Sequence, residues 1–272
     1  MEFLVTMPER SPDEMKAAEA MADFTLKVAT PVVWHDRKQG WPKPIKGGTC
    51  FFLRFEDGVI GVTANHVVEA LEAAISSNSN TVCQIRTTKP VDLPGLIIDR
   101  CADLDIATFR ASGELVAEAE ATVLDCRCDA WPPPKPDVGR AVTFCGFPET
   151  ERVSIAPGVG NLFAAGSLGA IDAITDRNLI VTYDPERDQA APWSPWKQPL
   201  GYNMSGCSGG PVLSHGTRRG IQRWFPIAMI IQGPRGAGTG DAAGWDMITM
   251  RRIDAIQPNG TIKREETGWL PR

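Results

Sequence analysis

Only three histidines and two tyrosines occur among the 272 residues. Proton transfer near neutral pH can therefore draw on just His35, His66 and His215. No segment reaches the run of about 18 apolar residues that a membrane helix needs, so no membrane association is expected. Basic charge is not in excess: 28 Lys and Arg stand against 33 Asp and Glu, for a net charge of −5. That excludes a global basic footprint for nucleic acid, and the acidity serves solubility. The opening stretch MEFLVTMPERSPDEMK has no basic start, apolar core and small-residue cleavage site, so no secretory signal is expected. The seven cysteines are an odd, scattered set. Without a signal, they predict reduced thiols in a cytoplasmic protein. Cys126 and Cys128 have no second Cys/His pair at metal-site spacing, and buried free thiols are the expectation for them.

Helical periodicity is also scarce. Near the N-terminus, Ser11-Pro12-Asp13-Glu14 has the form of a helix start, with an alanine-rich run to about Asp23. Residues 1–24 are thus expected as a short N-terminal helical extension. Inside the domain, residues 66–76 (HVVEALEAAIS) form the main helical pattern, and residues 251–256 suggest a short helix near the end. From Phe24 onward, short apolar runs alternate with Gly, Pro, Asp and Asn, as in FFLRFEDGVIGVTA, TVCQIRTT, RAVTFCGFP, NLIVTYD and PIAMIIQG. Asp57-Gly58 marks a hairpin turn between two of these runs. Many short strands with regular turn signals predict an all-β barrel or sandwich. The proline-rich stretch WPPPKPD (131–137) cannot sit in a central strand. It marks a junction between two β-halves near 129–138, within one domain over 25–272.

Three segments stand out in order. The first is VTANHVV (62–68), a strand followed by His66 and a helix. The second is DLDIATF (103–109), where an acid leads into an apolar strand. The third is GYNMSGCSGGPVLSHG (201–216), with Ser208 between tight-turning glycines. Taken alone, a glycine-flanked serine is often just a polar turn. Asp103 competes with Asp105 for the acidic role, but only Asp105 precedes the Ile-Ala pair. Asp92 and Asp99 are expected as loop carboxylates, and His35 and His215 as surface or loop histidines.

In this order, Thr-Ala-x-His, Asp-Ile-Ala and Gly-x-Ser-Gly-Gly-Pro resemble the chymotrypsin-fold (trypsin-like) serine peptidases of bacterial type. The resemblance covers roughly residues 28–257. It departs at Asn65, where the family usually has alanine. The resemblance implies two six-stranded Greek-key-like β-barrels with the active site between them. It also implies a serine endopeptidase working through an acyl-enzyme on a protein or peptide substrate, without metal or other cofactor. His66, Asp105 and Ser208 would be catalytic: a hydroxyl is a weak nucleophile without an adjacent base, and the acid holds one imidazole tautomer. The backbone N–H groups of Gly206 and Ser208 would form the oxyanion hole. Tyr202, six residues before the serine, would lie at the base of the specificity pocket, with Ile231, Gln232 and Gly233 along its wall. An uncharged Tyr202 there implies uncharged, apolar or small residues on the acyl side of the cut, unless Asp246 enters from the far side near Gly244-Trp245. Cys207 replaces the aspartate that, in zymogen-activated members, pairs with a freed N-terminus. Two rival readings keep the fold: an effector peptidase awaiting a regulatory protein partner, and a peptide-binding module without activity.

Overall fold

A computed structural model describes residues 12–40, 44–127, 131–156, 159–183, 202–218, 221–234 and 246–264. The protein is mostly β, with few helices and a sheet curled as a half-barrel. Helix α1 (Pro12–Val28) begins with a proline, whose missing N–H would be unsatisfied at a helix start in any case. It runs past Asp23 to Val28, whose side chain is fully buried. Its Thr25 hydroxyl meets that of Thr143 at 2.7 Å, and Phe24 stacks on Trp224 with ring centroids 5.0 Å apart.

The first sheet follows. Its strands are β1 (Thr30–Asp36), β2 (Lys46–Phe55), β3 (Gly58–Thr63), β4 (Thr81–Ile85), β5 (Ile97–Cys101), β6 (Ile106–Ala111) and β7 (Val123–Asp125). Helix α2 (Asn65–Ser77) lies between β3 and β4, α3 (Leu93–Leu96) before β5, and α4 (Gly113–Glu118) before β7. The order is β4-β1-β2-β3-β6-β5, with β7 parallel to β2. The β2–β3 hairpin forms where the Asp-Gly turn signal predicts it.

The second half holds β8 (Ala141–Gly146), a tight turn at Glu149–Glu151, the hairpin β9 (Arg152–Ala156) and β10 (Val159–Leu162), and then β11 (Ala165–Ala170), β12 (Ala173–Ile174), β13 (Asn178–Tyr183), β14 (Pro211–Arg218), β15 (Ile221–Gln232) and β16 (Asp246–Arg252). Seven of these strands make one sheet in the order β11-β8-β14-β15-β16-β13-β12, while β9 pairs with β10 separately. Among the described residues each of these two sheets has seven strands.

The short helix expected over 251–256 does not form. Arg251 and Arg252 complete β16, where pairing to β13 and β15 overrides the local helical pattern. His35 and His215 lie in strands β1 and β14, not in loops. Asp99 lies in β5, where its carboxylate accepts from Ile262 N–H and Arg264.

The two halves are tied together at several points. Leu213 and Met229 of the second sheet pack in the core cluster of the first. The segment after β16 returns to that cluster through Ile253, Ala255, Ile256 and Ile262. Trp131, on the proline-rich connection, donates its indole N–H to the Ile256 carbonyl at 2.7 Å. Among the described residues, no helix is long and apolar enough to cross a membrane.

Candidate active site

Helix α2 starts without a side-chain cap, because its N-cap residue is Ala64. One of the orphan N–H groups that every helix start leaves open is that of His66. It donates to Asp105 Oδ1 at 3.0 Å, across 39 residues of sequence. A carboxylate at this end also suits the helix dipole. The other carboxylate oxygen, Oδ2, lies 2.7 Å from His66 Nδ1. An ionised carboxylate accepts the Nδ1 proton, so the neutral ring keeps Nε2 as its acceptor. Asp105 adopts a left-handed backbone, φ +53°, a region uncommon for residues other than glycine but better tolerated by Asp. Asp103 takes no part in this pairing: it accepts from Arg177 Nη1 at 2.5 Å. Arg251 is a second nearby cation. Burial pushes its guanidinium down, with Arg177 adding to this, while Asp105 and Asp103 pull it back up.

Ser208 is reached through a loop with two positive-φ glycines, Gly206 (φ +97°) and Gly209 (φ +86°). Space adds to the backbone requirement. A Cβ on Gly206 would stand 2.2 Å from Arg152 Nη2, and one on Gly209 would stand 2.0 Å from the Thr49 carbonyl oxygen. The N–H groups of Gly206 and Ser208 donate to no acceptor among the described residues. The Ser208 hydroxyl donates to the Ile231 carbonyl at 3.3 Å rather than to His66. Cys207 is fully buried, and burial pushes its thiol up to about 12, with Arg152 pulling the other way. A thiol held protonated is a poor nucleophile.

His66, Gly206 and Ser208 line one cleft of about 230 Å³, together with Trp34, Lys46 and Glu149. Three of the four residues named for chemistry thus share one opening, and Asp105 bonds to His66.

Tyr202, Ile231, Gln232 and Gly233 do not line this cleft. Tyr202 is buried, and its hydroxyl donates to Glu151 Oε1 at 2.8 Å. Burial and then the Glu151 contact push that phenol upward. Ile231 sits where β15 shifts register against β16, between Ile230 and Gln232, and its carbonyl receives the Ser208 hydroxyl. Gly233 packs against the Met204 side chain. Gly244 and Trp245 lie outside the described residues, and Asp246 is described only by its backbone pairing with Tyr183.

Three site neighbours carry no sequence signal: Thr49, Arg152 and Arg251. Their contacts run to backbone groups or through space, which no residue-type spacing reveals. Asn65, the departure from the family pattern, is buried and donates to Glu69 Oε1 at 2.8 Å, so its side chain turns along the helix. Among the described residues no three His, Cys, Asp or Glu side chains gather as metal ligands. Cys126 is buried, and Cys128 lies outside the described residues.

The chain matches no family model and no curated protein. Among solved structures it is similar to one described as "Aromatic interactions drive the coupled folding and binding of the intrinsically disordered Sesbania mosaic virus VPg protein". The identity is 14% and the TM-score 0.38, over 82% of this chain and 91% of that chain. A likeness of that degree carries no argument about fold or function.

Proposed function

We propose that the protein is a chymotrypsin-fold serine endopeptidase of the cytoplasm, with its two sheets acting as the two β-barrels and the cleft between them as the active site. The observation that carries this reading is the double contact of Asp105 on His66, beside a cleft that also holds Ser208. In the reaction, His66 Nε2 takes the Ser208 proton as the oxygen attacks the substrate carbonyl, then returns it to the leaving amine. Asp105 stabilises the imidazolium in between. The developing oxyanion accepts from Gly206 N–H and Ser208 N–H, both open for that use. Water then resolves the acyl-enzyme by the reverse of these steps. A substrate backbone N–H bound at the Ile231 carbonyl competes with the Ser208 hydroxyl for that acceptor and turns it toward His66.

The test is covalent labelling of the full chain by a fluorophosphonate, read by intact mass, together with peptide turnover. Ser208→Ala should abolish the adduct and lower turnover by about 10⁴-fold or more. Cys207→Ala should keep most activity. An enzyme silenced by the cysteine change and spared by the serine change would refute the assignment.

A further inference from the structure

Two peptide groups decide whether this loop can stabilise an oxyanion: the one between Ser205 and Gly206, and the one between Cys207 and Ser208. Each carries one of the two open N–H groups. A trans peptide aims its N–H opposite to its C=O, so whatever holds the carbonyl aims the donor. The Ser205 carbonyl accepts from Glu149 N–H at 2.6 Å. The Cys207 carbonyl accepts from Gly210 N–H at 2.9 Å, and the peptide that links these two, between Gly206 and Cys207, is held at its carbonyl by the Thr49 hydroxyl at 3.0 Å.

Thr49 is fully buried and belongs to β2, in the opposite sheet. Its hydroxyl also accepts from Phe147 N–H at 3.0 Å. With that lone pair occupied, its single proton is committed to Gly206. The Phe147 carbonyl in turn accepts from Arg152 Nη2 at 2.7 Å. The Thr49 N–H donates to the Ser208 carbonyl at 2.9 Å, and the Thr49 carbonyl accepts from the Thr63 hydroxyl at 2.7 Å. Phe147 is therefore held at both of its backbone groups, by Arg152 at the carbonyl and by Thr49 at the N–H, and the Thr49 hydroxyl carries that support on to the oxyanion loop. Turning the Gly206 carbonyl away would strand a buried hydroxyl proton, which is costly. The Arg152 guanidinium also packs against Gly206 from below, near the site where a Cβ would clash. Cys207 offers no carboxylate to an incoming ammonium, and its own N–H is spent on the Met204 carbonyl at 3.0 Å.

We infer that Thr49, backed by Arg152 through Phe147, is a positioning residue that holds the oxyanion loop ready without chain cleavage and without a partner. The inference rests on the serine peptidase reading and adds its mode of regulation: activity is built into the fold.

The experiment uses uncut full-length protein and a fluorophosphonate, with the maximal labelling rate and the half-saturating concentration measured separately. Thr49→Val keeps the side-chain shape and removes the hydroxyl. It should lower the maximal rate about 10- to 100-fold and change half-saturation less than about twofold. Thr49→Ser should restore the rate to within about threefold of wild type. Arg152→Met should lower it about tenfold. Ile85→Val, a fully buried site elsewhere in the first core, serves as a control for general destabilisation and should leave the rate unchanged. Labelling of Thr49→Val and Arg152→Met at the wild-type rate would overturn the inference. So would wild-type protein that reacts only after trimming near residues 24–30, in which case the peptidase reading survives. If neither the trimmed nor the uncut chain reacts at Ser208, the peptidase reading fails and the inference falls with it.

Discussion

Asp105 holds a helix backbone and an imidazole ring with one side chain. One carboxylate oxygen closes the open start of helix α2, and the other holds the imidazole carried by that helix. The ring is therefore oriented by the same group that fixes the backbone beneath it. Asp105→Asn keeps the size but replaces one oxygen with an N–H donor, so the ring loses its acceptor at Nδ1 and favours the wrong tautomer. Turnover should fall about 10⁴-fold, with KM little changed. Asp103→Asn breaks only the exposed contact to Arg177 and should stay within a few-fold of wild type. Equal losses from the two changes would refute the assignment of the acid. At this scale the sequence is informative for His66, Asp105 and Ser208, because turn glycines and a strand-to-helix switch leave residue-type patterns. It is silent on Thr49, whose role depends on a backbone carbonyl 157 residues away.

Among the elements, α1, β14 and β15 form a small stack whose stability depends on pH. His215 of β14 meets the Trp224 ring of β15 with centroids 3.6 Å apart, and Phe24 of α1 stacks on the same tryptophan. Both ring nitrogens of His215 are buried, and neither has a hydrogen-bond partner. Burial, followed by the nearby Arg140 cation, pushes this imidazole down to about 4. An unfolded histidine takes its proton at about 6.5. Between these values the unfolded chain binds a proton that the folded chain refuses, so stability falls as pH falls from about 6.5 to 4 and levels off below. Discounted for partial solvent screening, the loss is about 2 kcal/mol. Melting curves from pH 7.5 to 4 should show this slope in wild type and a flatter one in His215→Leu. Parallel slopes would remove His215 from the account.

Elements differ in how plainly residue type marks them. The apolar runs of β2, β3, β8, β13 and β15 are long and β-branched or aromatic, and they read as strands. Strands β10 and β11, VGNL and AGSLGA, carry small residues and no alternation, so only their partners define them. Helices α3 and α4 span four and six residues, too short for a period to emerge.

At the scale of the whole molecule, the proposed site is an agreement between two halves: the first supplies His66 and Asp105, and the second supplies Ser208. That agreement depends on the chain crossing back. Ile256 follows the last strand of the second sheet, yet it is fully buried in the core cluster of the first. Its carbonyl holds the indole of Trp131 on the connection between the halves. Thr108 of the first sheet likewise donates to the Gly260 carbonyl at 2.5 Å. With the cores laced in this way, neither sheet can lose its packing without exposing part of the other. Unfolding should then be a single cooperative step, in which tryptophan fluorescence and the capacity for fluorophosphonate labelling vanish at the same denaturant concentration. Ile256→Ala leaves a cavity in the core cluster of the first sheet and should cost about 2–5 kcal/mol. The change lies outside the site, so it should shift both midpoints together and leave the labelling rate of the folded protein as it was. Two separated transitions, with labelling lost first, would show that the halves unfold independently and that the tail does not tie them.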